Sequence, residues 1–387
     1  MTSTMHSKAR ILGVGRTPYF RRSDRSVLDL TLEATTRACE DAGVPIAKLD
    51  GACTFGLGDT VPALSVLNAF GREAHWFTDM YGGANVSLTA LLLAAAVVDA
   101  GMAQFVVVFR SLNGRSGFRL GGSETDIDAS GDLQYTAPVG WTTYGQTDAM
   151  MCRRHMMRYG TTSAQLGAIA VAARQWALMN DWSMTREPLT LEQHQQSRLI
   201  ADPFRLYDYC LEADCAFAVL IGPKGSSAEP EREVAIAGGA HGSGPRPGAD
   251  NWGHMDWEEH ATCFGGYLRE RLYSMAGVQA RDLDIVCLYD CFTFSVLSQL
   301  EGFGFAKVGE GGMLAASGAL GPGGARPVNT HGGLLSEGYG HGFNHLFEAV
   351  TQLRGEAGQR QQSKHDTALI TAGATTTGCA LILAQSN

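Results

Sequence analysis

Apolar and polar positions follow two alternating periods along the chain, and the same succession occurs twice. Ile11–Val14 is a short continuous apolar run closed by Gly15, the pattern of a buried strand. From Leu28 to Ala42 apolar residues recur at the 3.6-residue spacing of a helix. AGVPIAKLD (Ala42–Asp50) then leads into a second strand, GACTFG (Gly51–Gly56). The order returns later with a strand at Val234–Ala237 ending in Gly238 and Gly239, and a helix over about Tyr267–Met275. AGVQARDLD (Ala276–Asp284) and the strand IVCLYD (Ile285–Asp290) follow. The two connectors share Ala, Gly, Val, Leu and Asp at matching positions. Each places a glycine, Gly43 or Gly277, where a helix C-terminus needs a left-handed residue.

Strand–helix–strand units in two copies predict a duplicated α/β fold of parallel βαβ units, with helices on both faces of the sheet. The expected division is 1–230 and 231–387. Within the first half, about 114–197 breaks the pattern and is rich in Trp, Met and Arg. Helical spacing reappears there around Met150–Tyr159 and Ala164–Met179, so this segment reads as an insert capping the sheet. Asp202–Pro223 returns as a long apolar strand, and Lys224–Arg232 crosses between halves. The most apolar run, Ala90–Val98, stops at Asp99, far short of the ~20 residues that span a bilayer. It is expected to be a buried helix, and no membrane span is expected.

Composition narrows the function class. The 387-residue chain carries a formal charge of −9 and no clustered basic face, which argues against a nucleic-acid partner. Its 48 glycines are scattered through apolar segments and imply tight turns and close backbone approach. Nine cysteines without a C-x-x-C pair fit free thiols in a reducing cytoplasm rather than a zinc or disulfide framework. MTSTMHSKAR has no apolar signal core. No GxxxxGK[ST] loop and no dinucleotide fingerprint after a strand is present, so no bound nucleotide cofactor is expected.

Four segments in order resemble the thiolase superfamily, in its sterol-carrier-protein-x type. Asp202–Ile221 resembles the segment closing the first thiolase half. LYDCFTFSVLSQLEGFGF (Leu288–Phe305) resembles the His-Asp-Cys-Phe segment, and VNTHGGLLSEGYGHG (Val328–Gly342) the Asn-Pro-x-Gly-Gly…Gly-His-Pro segment. TAGATTTGCALIL (Thr371–Leu383) resembles the C-terminal glycine-rich strand turn. The resemblance implies a five-layer αβαβα fold with an inserted loop domain. It also implies a nucleophilic cysteine at the N-terminus of a buried helix, where the helix dipole lowers the thiol pKa. Aligned on Thr-Ala-Leu, the segment DMYGGANVSLTALLLAAA places Ala84 there, and no cysteine lies between Cys53 and Cys152. Both family histidines are phenols here, Tyr289 and Tyr339.

This pattern, with RSLNGRSG (Arg110–Gly117), resembles one subgroup, the thiolase-like subunit of steroid side-chain-cleaving aldolases. The resemblance implies retro-aldol cleavage of a 17-hydroxy-steroid CoA thioester to a 17-keto steroid and propionyl-CoA. It implies a homodimer core with a small OB-fold partner on each protomer, an α2β2 complex. It also implies that the chain binds no cofactor of its own, since the substrate carries the coenzyme A.

Retro-aldol cleavage needs two proton movements, one from the hydroxyl and one to the enolate carbon, and no covalent intermediate, so Tyr289 and Tyr339 are the expected acid and base. A phenol with a reference pKa of about 10 is ready as a donor but needs help as a base. His341 and His331 are the candidate helpers. Tyr289, Tyr339, His341 and Asp290 are the expected catalytic positions; consecutive strand residues face opposite ways, so a structural role for Asp290 stands as the alternative. His331, Gly332, Gly333, Asn85, Ala84 and Gly373 are the expected substrate-binding positions. Asn85 and Ser87 either bind an oxyanion or simply begin a helix. Two other readings stand beside this one: an acyl-CoA acyltransferase using a relocated Cys291 or Cys379, and a non-catalytic thiolase-fold scaffold.

Overall fold

The computed structural model describes residues 7–117, 133–245 and 262–386. The first half contains β1 (Ala9–Arg16), α1 (Val27–Ala42), β2 (Gly51–Gly56), α2 (Ala63–Ala69), β3 (Trp76–Tyr81), α3 (Ser87–Asp99) and β4 (Val106–Asn113). Four helices follow: α4 (Leu133–Thr136), α5 (Tyr144–Tyr159), α6 (Ser163–Leu178) and α7 (Leu191–Gln196). A hairpin of β5 (Leu199–Ala201) and β6 (Phe204–Arg205) precedes β7 (Asp214–Pro223). The second half contains β8 (Val234–Ser243), α8 (Gly265–Ala276), β9 (Ile285–Cys287), α9 (Thr293–Gly302), α10 (Gly311–Ala316), α11 (Phe343–Leu353), β10 (Thr367–Ala372) and β11 (Thr377–Gln385). Part of the expected insert, 118–132, lies outside the described residues. No helix among the described residues is long and apolar enough to cross a membrane.

Local chemistry accounts for the helix ends. The Ser26 hydroxyl accepts from the Asp29 N–H at 3.1 Å to start α1, and Gly43 at φ 62° ends it. Gly277, at φ 69°, ends α8 in the same way. Three Thr-x-x-Gln capping boxes, Thr143/Gln146, Thr162/Gln165 and Thr190/Gln193, start α5, α6 and α7.

The nine-stranded sheet runs β3-β2-β4-β7-β1-β8-β11-β10-β9. Its halves have one topology. β2-β4-β7-β1 corresponds to β9-β10-β11-β8, with β3 added at one edge. In each half one strand, β7 or β11, is antiparallel to both neighbours. The fully parallel units expected from the strand–helix alternation therefore hold for β3, β2 and β4 and for β9 and β10 only. The reason is covalent at β11: Gly373–Thr376 is too short for a crossover, so β10 and β11 form a hairpin. β7 takes the same slot after the long insert. The halves meet where Arg10 pairs Ala235 and Ile11 pairs Val234.

Five layers result. α1 and α2 cover the outer face of the first half, and α8 the outer face of the second. α3 and α11 lie between, each touching strands of both halves. Strand alternation sorts side chains between these layers. On β4, Val107 and Phe109 face α1, whereas Val106, Val108 and Leu112 face the central core. Arg110 shares the parity of the central set, so its charge is directed inward, where it is fully buried.

Candidate active site

Tyr289 follows β9 and Tyr339 follows the tight turn Gly333–Glu337, which leads into α11. The Tyr289 N–H donates to Thr371 Oγ1 at 2.9 Å, and its carbonyl accepts from Gln299 Nε2 at 2.7 Å. The Tyr339 N–H donates to the Leu211 carbonyl at 2.8 Å. Three separate segments thus fix the backbone of the two tyrosines, whose hydroxyl oxygens meet at 3.0 Å. Burial pushes both phenols well above 10. The two hydroxyls are hydrogen-bonded to each other, and either can be the donor.

His341 lies beside this pair. Its ring leans on Tyr339 with centroids 5.2 Å apart, and its backbone is left-handed at φ 55°. Arg110 Nε donates to His341 Nδ1 at 3.0 Å, and Arg110 Nη2 donates to Asp59 Oδ2. Burial, and then the Arg110 charge, hold His341 well below 6.5. Burial raises the Asp59 carboxyl, but Arg110 beside it holds the net value below the ordinary range.

Ala84 opens a short turn that runs into α3, and it is buried. The Ser87 hydroxyl donates to its carbonyl at 2.8 Å, and the Cys379 thiol approaches the same oxygen at 3.6 Å. Asn85 Nδ2 donates to Thr377 Oγ1 at 3.2 Å, which ties the helix start to β11. A Cβ on Gly83 would stand 3.4 Å from His341 Nε2, and one on Gly342 would meet Ser87 Oγ and the Tyr289 ring. The helix start, both tyrosines and His341 are therefore one cluster.

The remaining sequence-predicted positions surround this cluster. Asp290 turns into the Gly333–Glu337 turn, accepting from the Leu334 N–H at 2.8 Å and the Leu335 N–H at 3.3 Å. It also lies 3.1 Å from His345 Nε2, and a Cβ on Gly333 would collide with its carboxylate. Gly332, at φ 101°, packs on Ala177. Gly373, at φ 114°, folds against Thr377 and Gly378 in the β10–β11 turn. His331 Nε2 lies 2.9 Å from His345 Nδ1. His331 lines a different cavity of about 480 Å³ with Arg16, Asn180, Trp182, Glu337 and Asn344. Burial pushes the Cys379 thiol up to about 11 and the Cys291 thiol well above 9. Neither sulfur is a thiolate at neutral pH, whereas acyl transfer through cysteine needs one.

Arg110 and Asp59, together with Gln299 and Thr371, carried no role in the sequence reading. For Arg110 a signal exists: in VVVFRSL a charge interrupts a strand whose alternation points that position at the core. The site holds two neutral phenols in contact and a neutral imidazole, above a helix start with no nucleophile. Such a set can pass a proton and donate hydrogen bonds.

The family described as thiolase C-terminal domain-like matches residues 269–385. A 17-hydroxy-3-oxo-4-pregnene-20-carboxyl-CoA lyase of Mycobacterium tuberculosis is 36% identical, covering 91% of this chain and 92% of that protein. A steroid side-chain-cleaving aldolase of Thermomonospora curvata is also 36% identical, over 98% of this chain and 99% of that one. An acetyl-CoA acetyltransferase of Methanothermobacter thermautotrophicus is 30% identical over 91% and 92%. Among solved structures, an Ltp2–ChsH2(DUF35) aldolase superposes with a TM-score of 0.88 at 35% identity, covering 97% of each chain. Matches at this identity and coverage, on a duplicated five-layer α/β frame, make the chain a member of the thiolase superfamily, in the group that contains the steroid side-chain-cleaving aldolases.

Proposed function

We propose that this protein cleaves a 17-hydroxy-steroid side-chain CoA thioester by a retro-aldol reaction, giving a 17-keto steroid and propionyl-CoA. The observation that carries the reading is the 3.0 Å contact between the buried Tyr289 and Tyr339 hydroxyls. In the reaction the substrate hydroxyl loses its proton as the C17–O bond becomes a carbonyl. The C17–C20 bond breaks, and its electrons form the enolate of the departing thioester. A proton then reaches the enolate carbon, so one proton is moved in all. Two neutral phenols in contact can carry it: one accepts from the substrate hydroxyl as it passes its own proton to the other, which donates to carbon. No covalent intermediate is formed, in keeping with Ala84 at the helix start. The chain binds no cofactor of its own, and the coenzyme A belongs to the substrate.

The assembly we propose is a homodimer that carries a small OB-fold protein on each protomer, in the cytoplasm. The Ltp2–ChsH2(DUF35) aldolase, whose name joins two components, supports a partner subunit. Nine free cysteines suit a reducing compartment. The test is propionyl-CoA release from a 17-hydroxy-steroid CoA thioester by the assembled complex. Tyr289→Phe and Tyr339→Phe are each expected to lower kcat by about 10²–10⁴-fold. No release from a fully assembled wild-type complex would rule the reading out.

The acetyltransferase relative favours a second reading, acyl transfer through Cys379 or Cys291. The raised thiols oppose it, and mass spectrometry after acyl-CoA exposure decides it. A cysteine heavier by one acyl group would establish the transferase.

A further inference from the structure

We infer that Arg110 and Asp59 are positioning residues that hold His341 as a neutral imidazole protonated on Nε2, and that this N–H is the hydrogen-bond donor for the thioester oxygen of the substrate. The inference rests on the retro-aldol reading and adds to it the group that receives the enolate's charge.

The tautomer follows from donor inventory. A guanidinium only donates. His341 Nδ1, 3.0 Å from Arg110 Nε, must therefore present its lone pair, and a neutral ring then carries its proton on Nε2. Burial and the neighbouring cation both oppose a second proton. The guanidinium cannot swing away. Its Nη2 donates to Asp59, its Nη1 donates to the Ser111 carbonyl at 3.1 Å, and the whole side chain is buried. His341 also accepts a left-handed backbone at φ 55°, a strain of the kind retained where a side chain must be aimed.

Direction follows from the surroundings of Nε2. It has no hydrogen-bond partner among the described residues, whereas Nδ1 has Arg110. It faces Gly83, immediately before Ala84, and the missing Cβ there leaves room for another atom. The His341 ring lies 5.2 Å from the Tyr339 ring, so donor and proton-transfer pair share one space. The reaction requires that proximity, because the enolate oxygen sits two bonds from the carbon that is protonated. A fixed donor in a dry site stabilises developing charge without moving a proton.

Three variants in the assembled complex and one spectrum test this. His341→Ala is expected to lower kcat by about 10²–10³-fold with KM changed only a few-fold. His341→Gln, whose amide also offers an N–H, is expected to recover at least about tenfold of that loss. The ¹⁵N spectrum of histidine-labelled protein should show His341 unprotonated on Nδ1 and protonated on Nε2 at neutral pH. Arg110→Gln should abolish that preference. If that variant does not fold, the wild-type spectrum alone still decides the tautomer. A proton on Nδ1, or an imidazolium, overturns the inference. So does a His341→Ala enzyme with unchanged kcat alongside inactive tyrosine variants. Absence of release from the wild-type complex sinks the retro-aldol reading and the donor role with it, while leaving the spectrum as described.

Discussion

An imidazole and a phenol differ in which charge states each can visit near neutral pH, and that difference governs the pair at 289 and 339. An imidazole beside a thiol can take its proton and keep it. A buried phenol can do neither, because burial raises its pKa from about 10 and so keeps the neutral form. Tyr289 and Tyr339 are both shifted upward, and burial is the largest cause for each. The sign of the pH response follows. A mechanism that needed a pre-formed phenolate would speed up about tenfold for each pH unit, because the anion fraction rises tenfold per unit below the pKa. A relay through neutral phenols needs no prior ionisation. His341, held well below 6.5, stays neutral over the same range. We expect kcat at saturating thioester to vary by less than about threefold between pH 6 and pH 9. A slope of one in log kcat against pH is the contrary result.

Between Gly332 and Gly342 the backbone, more than any one side chain, sets the site. The Gly333–Glu337 turn must bend tightly enough to return Tyr339 to Tyr289, and Asp290 holds it there through the Leu334 and Leu335 N–H groups. Asp290→Ala leaves the Leu334 and Leu335 amides in a fully buried place without their acceptor, and removes the carboxylate beside His345. We expect a loss of about 3–5 kcal/mol of stability, read as a lowered denaturation midpoint, with residual activity in the fraction that stays folded. An unchanged midpoint with abolished activity would instead put the carboxylate in the chemistry. Elements of this kind were legible in the sequence to different degrees. α1 and α8 could be read from their apolar spacing and the glycines after them, because those signals are local. The reversal of β7 was not legible, since nothing within that strand records which way its neighbours run. Asp59 was not legible either: it lies in a loop, and its buried partner comes from β4. Tyrosine contact across fifty positions entered only through family likeness, because no local pattern encodes it.

At the scale of the whole molecule the two edges of the sheet are unequal. β9, at one end, is three residues long and buried. β3, at the other, spans Trp76–Tyr81 with every second residue exposed, and that set includes Phe77 at 47% and Tyr81 at 84%. An open strand edge that also carries exposed aromatics is a template for pairing, which proteins commonly cover. A second copy of the chain is the occupant consistent with the proposed homodimer: two β3 strands running antiparallel would continue the sheet from one protomer into the next. The tyrosine pair lies in the central layer, so such an interface can be weakened without altering Tyr289 or Tyr339. Phe77→Glu combined with Tyr81→Glu places like charges on the paired edge. Sedimentation equilibrium is therefore expected to show a dimer for the wild-type chain and a monomer for the double variant, while the circular dichroism of the two stays the same. A wild-type chain that sediments as a monomer at tens of micromolar would remove the pairing role of β3.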